Sequence, residues 1–225
     1  MVGQLSPEAG EEERHRALDR LCSAYDPAIL AYLRQMGFSQ HDAEDIRQRF
    51  FADVVLRRNL LGRAKPHRGR LRDLVRRSLR NYALNEIRDG RASALQNGRE
   101  QDRNGSEWKN EMPESQMETA QEVFAKEWGR RVIERAHEAV EEEYRKKDRA
   151  AVCDALKPHL VRWSGPPGQV EVASRLGLSP TNLSTELTRL RQRFRHTMLL
   201  LLSEEGGSPQ EAERLLTELL HTFAQ

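Results

Sequence analysis

Apolar residues in this chain recur three and four positions apart and never alternate long enough to build a sheet. Leu18, Leu21, Tyr25, Ile29, Tyr32, Leu33 and Met36 form one such stripe, and Ala43, Ile46, Phe50, Val54 and Val55 form the next. A third runs through Leu71, Leu74, Val75, Ser78, Leu79, Tyr82 and Ile87. That period matches the turn of an α-helix, so only helices bring every stripe to one side. An all-α fold is predicted. The composition agrees: of 225 residues, 37% are hydrophobic, 32% charged and only 6% aromatic, too apolar for a disordered chain and suited to packed helices.

Turn and cap signals divide the stripes. Asp26-Pro27 predicts a new helix start, because proline at the first helical position loses no bond and the preceding Asp caps. Gly37 ends that helix, and Ser39-Gln40-His41-Asp42 predicts the cap of a second helix reaching about Arg58. A basic loop, Arg63 to Arg70, precedes the third. Asn97-Gly98, Asn104-Gly105-Ser106 and Met112-Pro113 mark the clearest linker. Two modules result. We expect a disordered tail over 1–13, a helical domain over 14–92, a linker over 93–118, a second helical domain over 119–203 and a C-terminal helical extension over 204–225. Within the second domain, helices are expected from about Thr119 to Tyr144 and from Arg149 to Val161, before a break at Pro166-Pro167-Gly168.

Charge is segregated along the chain. Residues 47–91 carry 14 Arg or Lys against 4 acids, and 171–197 carry 5 Arg against Glu171 and Glu186, whereas 100–148 hold 14 acids against 9 bases. Arginine-dominated blocks suit phosphate, since the guanidinium donates through a planar fork and stays charged. The second basic block coincides with a helix-turn-helix pattern. Ala173 provides the small residue for a close crossing, Gly177 the turn, and Ser179-Pro180 the cap of the following helix, whose inner face is Leu183, Leu187, Leu190 and Phe194. Its outward face is then Thr181, Asn182, Ser184, Thr185, Thr188 and Arg189, with Arg191, Arg193 and Arg195 beyond. Short polar groups at such a helix start reach base edges, and the later arginines suit backbone phosphates.

At these residues the chain resembles the extracytoplasmic-function (ECF) group of bacterial sigma-70 factors. The stretch from Asp42 to Phe51, DAEDIRQRFF, is similar to conserved region 2.2; that from Leu79 to Arg88, LRNYALNEIR, to regions 2.3 and 2.4; and Glu171 to Gly177 with the next helix to region 4. The resemblance spans about Tyr25 to Leu202. It implies two helical domains joined by a flexible linker, a sigma region 2 and a sigma region 4, and a subunit that directs core RNA polymerase to promoters. Asp45, Gln48 and Phe51 would then face the β' clamp, while region 4 would also touch the β flap. Arg68, Arg70, Arg77, Arg80, Asn81, Asn85 and Arg88 would meet the minus-ten DNA. Thr181, Asn182, Ser184, Thr185, Thr188, Arg189, Arg191 and Arg193 would enter the minus-thirty-five major groove. An anti-sigma factor or another regulator is an expected partner.

Four features depart from the family pattern: Arg49 stands for an acidic residue, Asn85 for the common Asp, Glu186 where many relatives carry a cation, and the Pro166-Pro167-Gly168 entry lacks the usual Ser or Thr cap. A carboxylate facing DNA at Glu186 would repel phosphate unless it accepts from a cytosine amino group. No enzyme activity, cofactor or metal is expected, because the seven histidines are scattered and no H-x-x-x-H, C-x-x-C or glycine-rich phosphate loop occurs. No run of about 18 apolar residues and no signal-peptide pattern appears, so a cytoplasmic, nucleoid-associated protein without a membrane span is predicted. Cys22 and Cys153 are expected to be reduced packing residues. Two other readings stay open, a stand-alone helix-turn-helix regulator and a helical protein-binding adaptor.

Overall fold

The computed structural model describes residues 11–57, 60, 70–96, 114–160, 168–205 and 208–223, and among these it is helical with no strand. The helices are α1 (Glu11–Gln35), α2 (Gln40–Phe50), α3 (Leu71–Gln96), α4 (Glu114–Lys146), α5 (Ala150–Leu156), α6 (Gln169–Arg175), α7 (Pro180–Ser203) and α8 (Pro209–Phe223). The backbone divides into two compact units, Met1–Trp128 and Gly129–Gln225. The boundary falls inside α4. Residues 119–128, which the periodicity groups with the second module, therefore pack in the first. The physical reason is aromatic: Phe124 is fully buried, with its ring 6.3 Å from Tyr25 in a stacked arrangement and 6.3 Å from Tyr32 edge-on. Ala120 and Trp128 join them, and the Arg72 guanidinium lies 4.6 Å over the Trp128 ring. Both ends of the segment expected as a linker are helical, since α3 continues to Gln96 and α4 starts at Glu114, and residues 97–113 lie outside the described residues.

The first unit is built on α1, α2 and α3. Ser39 caps α2 as expected, its hydroxyl accepting from the Asp42 N–H at 3.1 Å. The expected restart at Asp26-Pro27 does not occur, for α1 runs through Pro27 without interruption. A proline inside a helix costs roughly 3 kcal/mol. Tyr25, Ala28 and Ile29 around it are fully buried, and each large apolar side chain so buried contributes about 1.5–3 kcal/mol, which outweighs that cost. Asp26 is not a cap but pairs with Arg47 of α2. After α2 the chain widens into a π-helical segment, Phe51–Arg57, entered where the Phe51 N–H is shared between the Arg47 and Gln48 carbonyls. Val54 and Val55 stay buried there. The basic loop lies outside the described residues except for Arg70.

The second unit packs α7 against α5, α6 and α8. Leu183, Leu187, Leu190, Phe194, Met198 and Leu202 bury one face of α7 along its whole length. The C-terminal extension is α8, which buries Ala212, Leu215, Leu216 and Leu219. Its start is a reciprocal cap, with the Ser208 N–H donating to the Glu211 carboxylate at 2.9 Å and the Glu211 N–H to the Ser208 hydroxyl at 3.2 Å. A methyl group at Gly129 of α4 would overlap the end of the Leu219 side chain and lie 3.2 Å from the Phe223 ring, so α8 side chains would have to shift to admit one.

Candidate nucleic-acid interface

The helix-turn-helix forms as its residues require. Gly177 has φ +63, a left-handed conformation, which lets the Leu178 N–H donate back to the Ala173 carbonyl at 2.9 Å. Ser179 then caps α7, its hydroxyl accepting from the Asn182 N–H at 3.2 Å, with Pro180 in the first turn. On the first helix of the pair the cap position is Gly168, with no side chain to offer, and α6 is correspondingly short. Burial of Val172, Ala173, Leu183 and Leu187 locks the two helices together.

This packing leaves Thr181, Asn182, Ser184, Thr185, Thr188, Arg189, Arg191 and Arg193 all exposed. Thr185 and Thr188 donate their hydroxyls to the Thr181 and Ser184 carbonyls, at 3.0 and 2.9 Å, so toward the outside they present acceptors. The cations are not equivalent. Arg191 donates to the His159 carbonyl at 3.0 Å, Arg193 pairs with Glu143 of α4, and Arg195 pairs with Glu213 of α8. The carboxylate expected to face a ligand at Glu186 does not, as its side chain is only 12% exposed and is held between Arg149 at 2.8 Å and Arg189 at 3.0 Å. The family resemblance placed it facing DNA. Helical phase sets it instead on the flank of the buried stripe, one turn from Leu183 and Leu190, where Arg149, brought in from the turn before α5, pairs with it. Arg175 at the end of α6 is an exposed cation beside this face that the sequence reading passed over, the signal being its place two residues before the turn glycine.

In the first unit the predicted residues split between two places. Asn81 and Asn85 lie one turn apart on α3, exposed, and line a cavity of about 440 Å³ with Ser78, Tyr82, Glu86 and Asp53. The Tyr82 hydroxyl donates to Asp53 at 3.4 Å, and burial, with the charges of Glu86 and Asp53, pushes its pKa up. Amides, a hydroxyl and carboxylates together can pair with both edges of a planar polar group. Arg49 pairs with Glu86 at 2.9 Å, so the basic residue at that position neutralises a carboxylate of the cavity rim. Arg77 and Arg80 instead line a second cavity with Tyr32 of α1. Arg88 is exposed beside Asp89, at 3.6 Å. Arg70 is half-buried at the start of α3, and Arg68 lies outside the described residues. Asp45 and Gln48 are exposed on α2, Asp45 lying 3.7 Å from His41, while Phe51 is half-buried with its ring 6.0 Å from Phe50.

Both cysteines are unpaired thiols, and burial pushes that of Cys153 up to about 11, which makes it a poor nucleophile. Among the described residues no cluster of His, Cys, Asp and Glu is arranged to hold a metal ion, and no helix is long and apolar enough to cross a membrane. No protein family matches the chain in comparison, nor does any curated protein or solved structure.

Proposed function

We propose that the protein is a sigma-type promoter-specificity subunit that recruits bacterial core RNA polymerase and acts by binding alone. The observation that carries this reading is the exposed polar and cationic face of α7, raised on a tight turn at Gly177 and capped by Ser179. Such a helix has the shape and chemistry to enter a major groove, with Asn182 and the threonines at its start and Arg189 following. The amide-lined cavity at Asn81 and Asn85 supports the minus-ten half of the reading, because an extruded base needs polar groups for its edges and an enclosing wall. On this reading Asp45, Gln48 and Phe51 contact the β' clamp, region 4 the β flap, and Arg77, Arg80 and Arg88 the minus-ten strand. The protein then works in the cytoplasm at the nucleoid, under an anti-sigma factor or another regulator.

The test is run-off transcription with core polymerase from the source organism on fragmented genomic DNA, with and without the protein. Discrete new start sites sharing a two-part upstream element are expected. A complex with polymerase that yields no starts would refute promoter specificity. Absence of any complex, together with tight operator binding by the protein alone, would replace this reading with a stand-alone regulator.

A further inference from the structure

A cavity of about 330 Å³ opens among α1, α3 and the first turns of α4, wholly within the first unit. Three guanidinium groups line it, from Arg76, Arg77 and Arg80. Tyr32 lines it too; the residue is fully buried, and its hydroxyl has no hydrogen-bond partner among the described residues. The arginines are poorly supplied with acceptors. Arg80 Nε donates to the Met117 sulfur at 2.9 Å, a weak acceptor. Arg76 donates to the neutral amide oxygen of Gln121 at 3.2 Å and reaches Asp73 at 3.4 Å. Arg77 is exposed and has no ion pair among the described residues. Asp73 and Glu118 also line the cavity and leave a surplus of one positive charge.

A buried unpaired hydroxyl beside three guanidinium groups whose partners are a thioether, an amide and one carboxylate at 3.4 Å is a set of donors short of acceptors. We infer that this cavity binds a small phosphorylated ligand, of the size of pyrophosphate or a nucleoside diphosphate, with Arg76, Arg77 and Arg80 on the phosphate oxygens and the Tyr32 hydroxyl donating to one of them. Phosphate fits better than carboxylate because three forked donors need several oxygens in different directions. A small molecule fits better than a polymer strand because Tyr32 lies beneath the surface, where a sugar-phosphate backbone running over α3 does not reach. Burial pushes the Tyr32 pKa up against the opposing pull of Arg80 and Arg76, so the hydroxyl keeps its proton for donation at neutral pH. The inference stands apart from the transcription reading, although the two share Arg77 and Arg80, and an occupied cavity would withhold both from DNA.

Titration calorimetry on the full chain with inorganic pyrophosphate and with ADP, in about 0.15 M NaCl to screen diffuse attraction, tests it. Saturable one-site binding is expected for both probes. Arg80→Ala and Tyr32→Phe are each expected to weaken it about tenfold or more, as for a lost hydrogen bond to a charged acceptor. Tyr32→Phe keeps the ring and hence the core, so a weakened affinity there is not a folding defect. Arg214→Ala, an exposed arginine of α8 in the second unit, is expected to leave binding unchanged. Absence of saturable binding, an equal loss in Arg214→Ala, or full affinity in Tyr32→Phe would overturn the inference. So would a single-stranded oligonucleotide that loses affinity in Tyr32→Phe while pyrophosphate never binds, since the cavity would then belong to nucleic acid. Pyrophosphate binding with no promoter-specific transcription would instead sink the transcription reading and leave this one standing.

Discussion

Phe124→Ala tests where the first half of α4 belongs. The ring is fully buried, stacked on Tyr25 at 6.3 Å and edge-on to Tyr32 at 6.3 Å, and all three residues lie in the first unit. Truncating a buried phenylalanine costs about 3–5 kcal/mol, of which aromatic pairing accounts for roughly 0.5–1.5 kcal/mol per pair. At about 1.4 kcal/mol per tenfold, the opening equilibrium of the first unit rises by roughly two to four powers of ten. Native-state hydrogen exchange read by mass spectrometry resolves this by peptide. Amides of α1, α2 and α3 are expected to lose protection by that factor, and those of α7 and α8 to keep theirs. The milder Phe124→Leu keeps most of the volume but loses both aromatic pairs, so it is expected to cost about 1–3 kcal/mol, roughly one to two powers of ten in the same peptides, which covers the case where the alanine variant unfolds outright. Loss of protection centred on α7 and α8, or none in α1, would refute the assignment of residues 119–128 to the first core.

Three further outcomes are expected. Ser179→Ala removes the cap on the Asn182 N–H and should lower the stability of the second unit by about 1 kcal/mol in urea denaturation, whereas Ser179→Asp should hold it near wild type. Glu186→Gln discharges the carboxylate between Arg149 and Arg189; with Arg189 65% exposed, the stability loss should be only about 1 kcal/mol. If α7 meets DNA, the released Arg189 should steepen the slope of log affinity against log salt by about 1, measured by fluorescence anisotropy on duplex, and an unchanged slope would mean that it gains no phosphate. His137 is buried against Phe194, with ring centroids 4.6 Å apart, and burial foremost, then the Lys157 charge, lowers its pKa against the pull of Glu141. Its folded form thus favours the neutral ring more than the unfolded chain does. The associated stability is present above the usual 6.5 and drains away as pH falls from there through the depressed value. Denaturation midpoints of the second unit between pH 7.5 and pH 5 should fall accordingly, and His137→Leu should flatten that dependence; a wild-type midpoint that rises on acidification would contradict it.

Much of the helix-turn-helix was legible from local signals, because caps, turn glycines and short apolar periods are decided within a few residues. Ser179, Pro180 and Gly177 each act on the backbone beside them, and each does in the structure what its chemistry requires. Ser39 is the same case. Side-chain partners were not legible. Glu186 flanks the buried stripe of α7 by helical phase, and its partner Arg149 comes from a turn 37 residues earlier that nothing local announces. Arg191, Arg193 and Arg195 read alike as free cations in sequence, yet they are tied to the His159 carbonyl, Glu143 and Glu213 by elements 18 to 50 residues away.

The division has a physical cause. Hydrophobic period and backbone conformation are properties of a short stretch, so the sequence alone determined that the described residues form helices and no strand, where α2 and α7 start, and which face of α7 is buried. Whether Pro27 breaks a helix, how far α4 reaches into the first unit, and how Tyr32 comes to line a cavity with the arginines of α3 depend on burial between segments distant in sequence. Pro27 could not break α1 because Tyr25, Ala28 and Ile29 are buried in a core whose other walls come from residues up to a hundred positions later. Tertiary packing decided those points, since the free energy of burying large side chains exceeds the local preferences that a sequence displays.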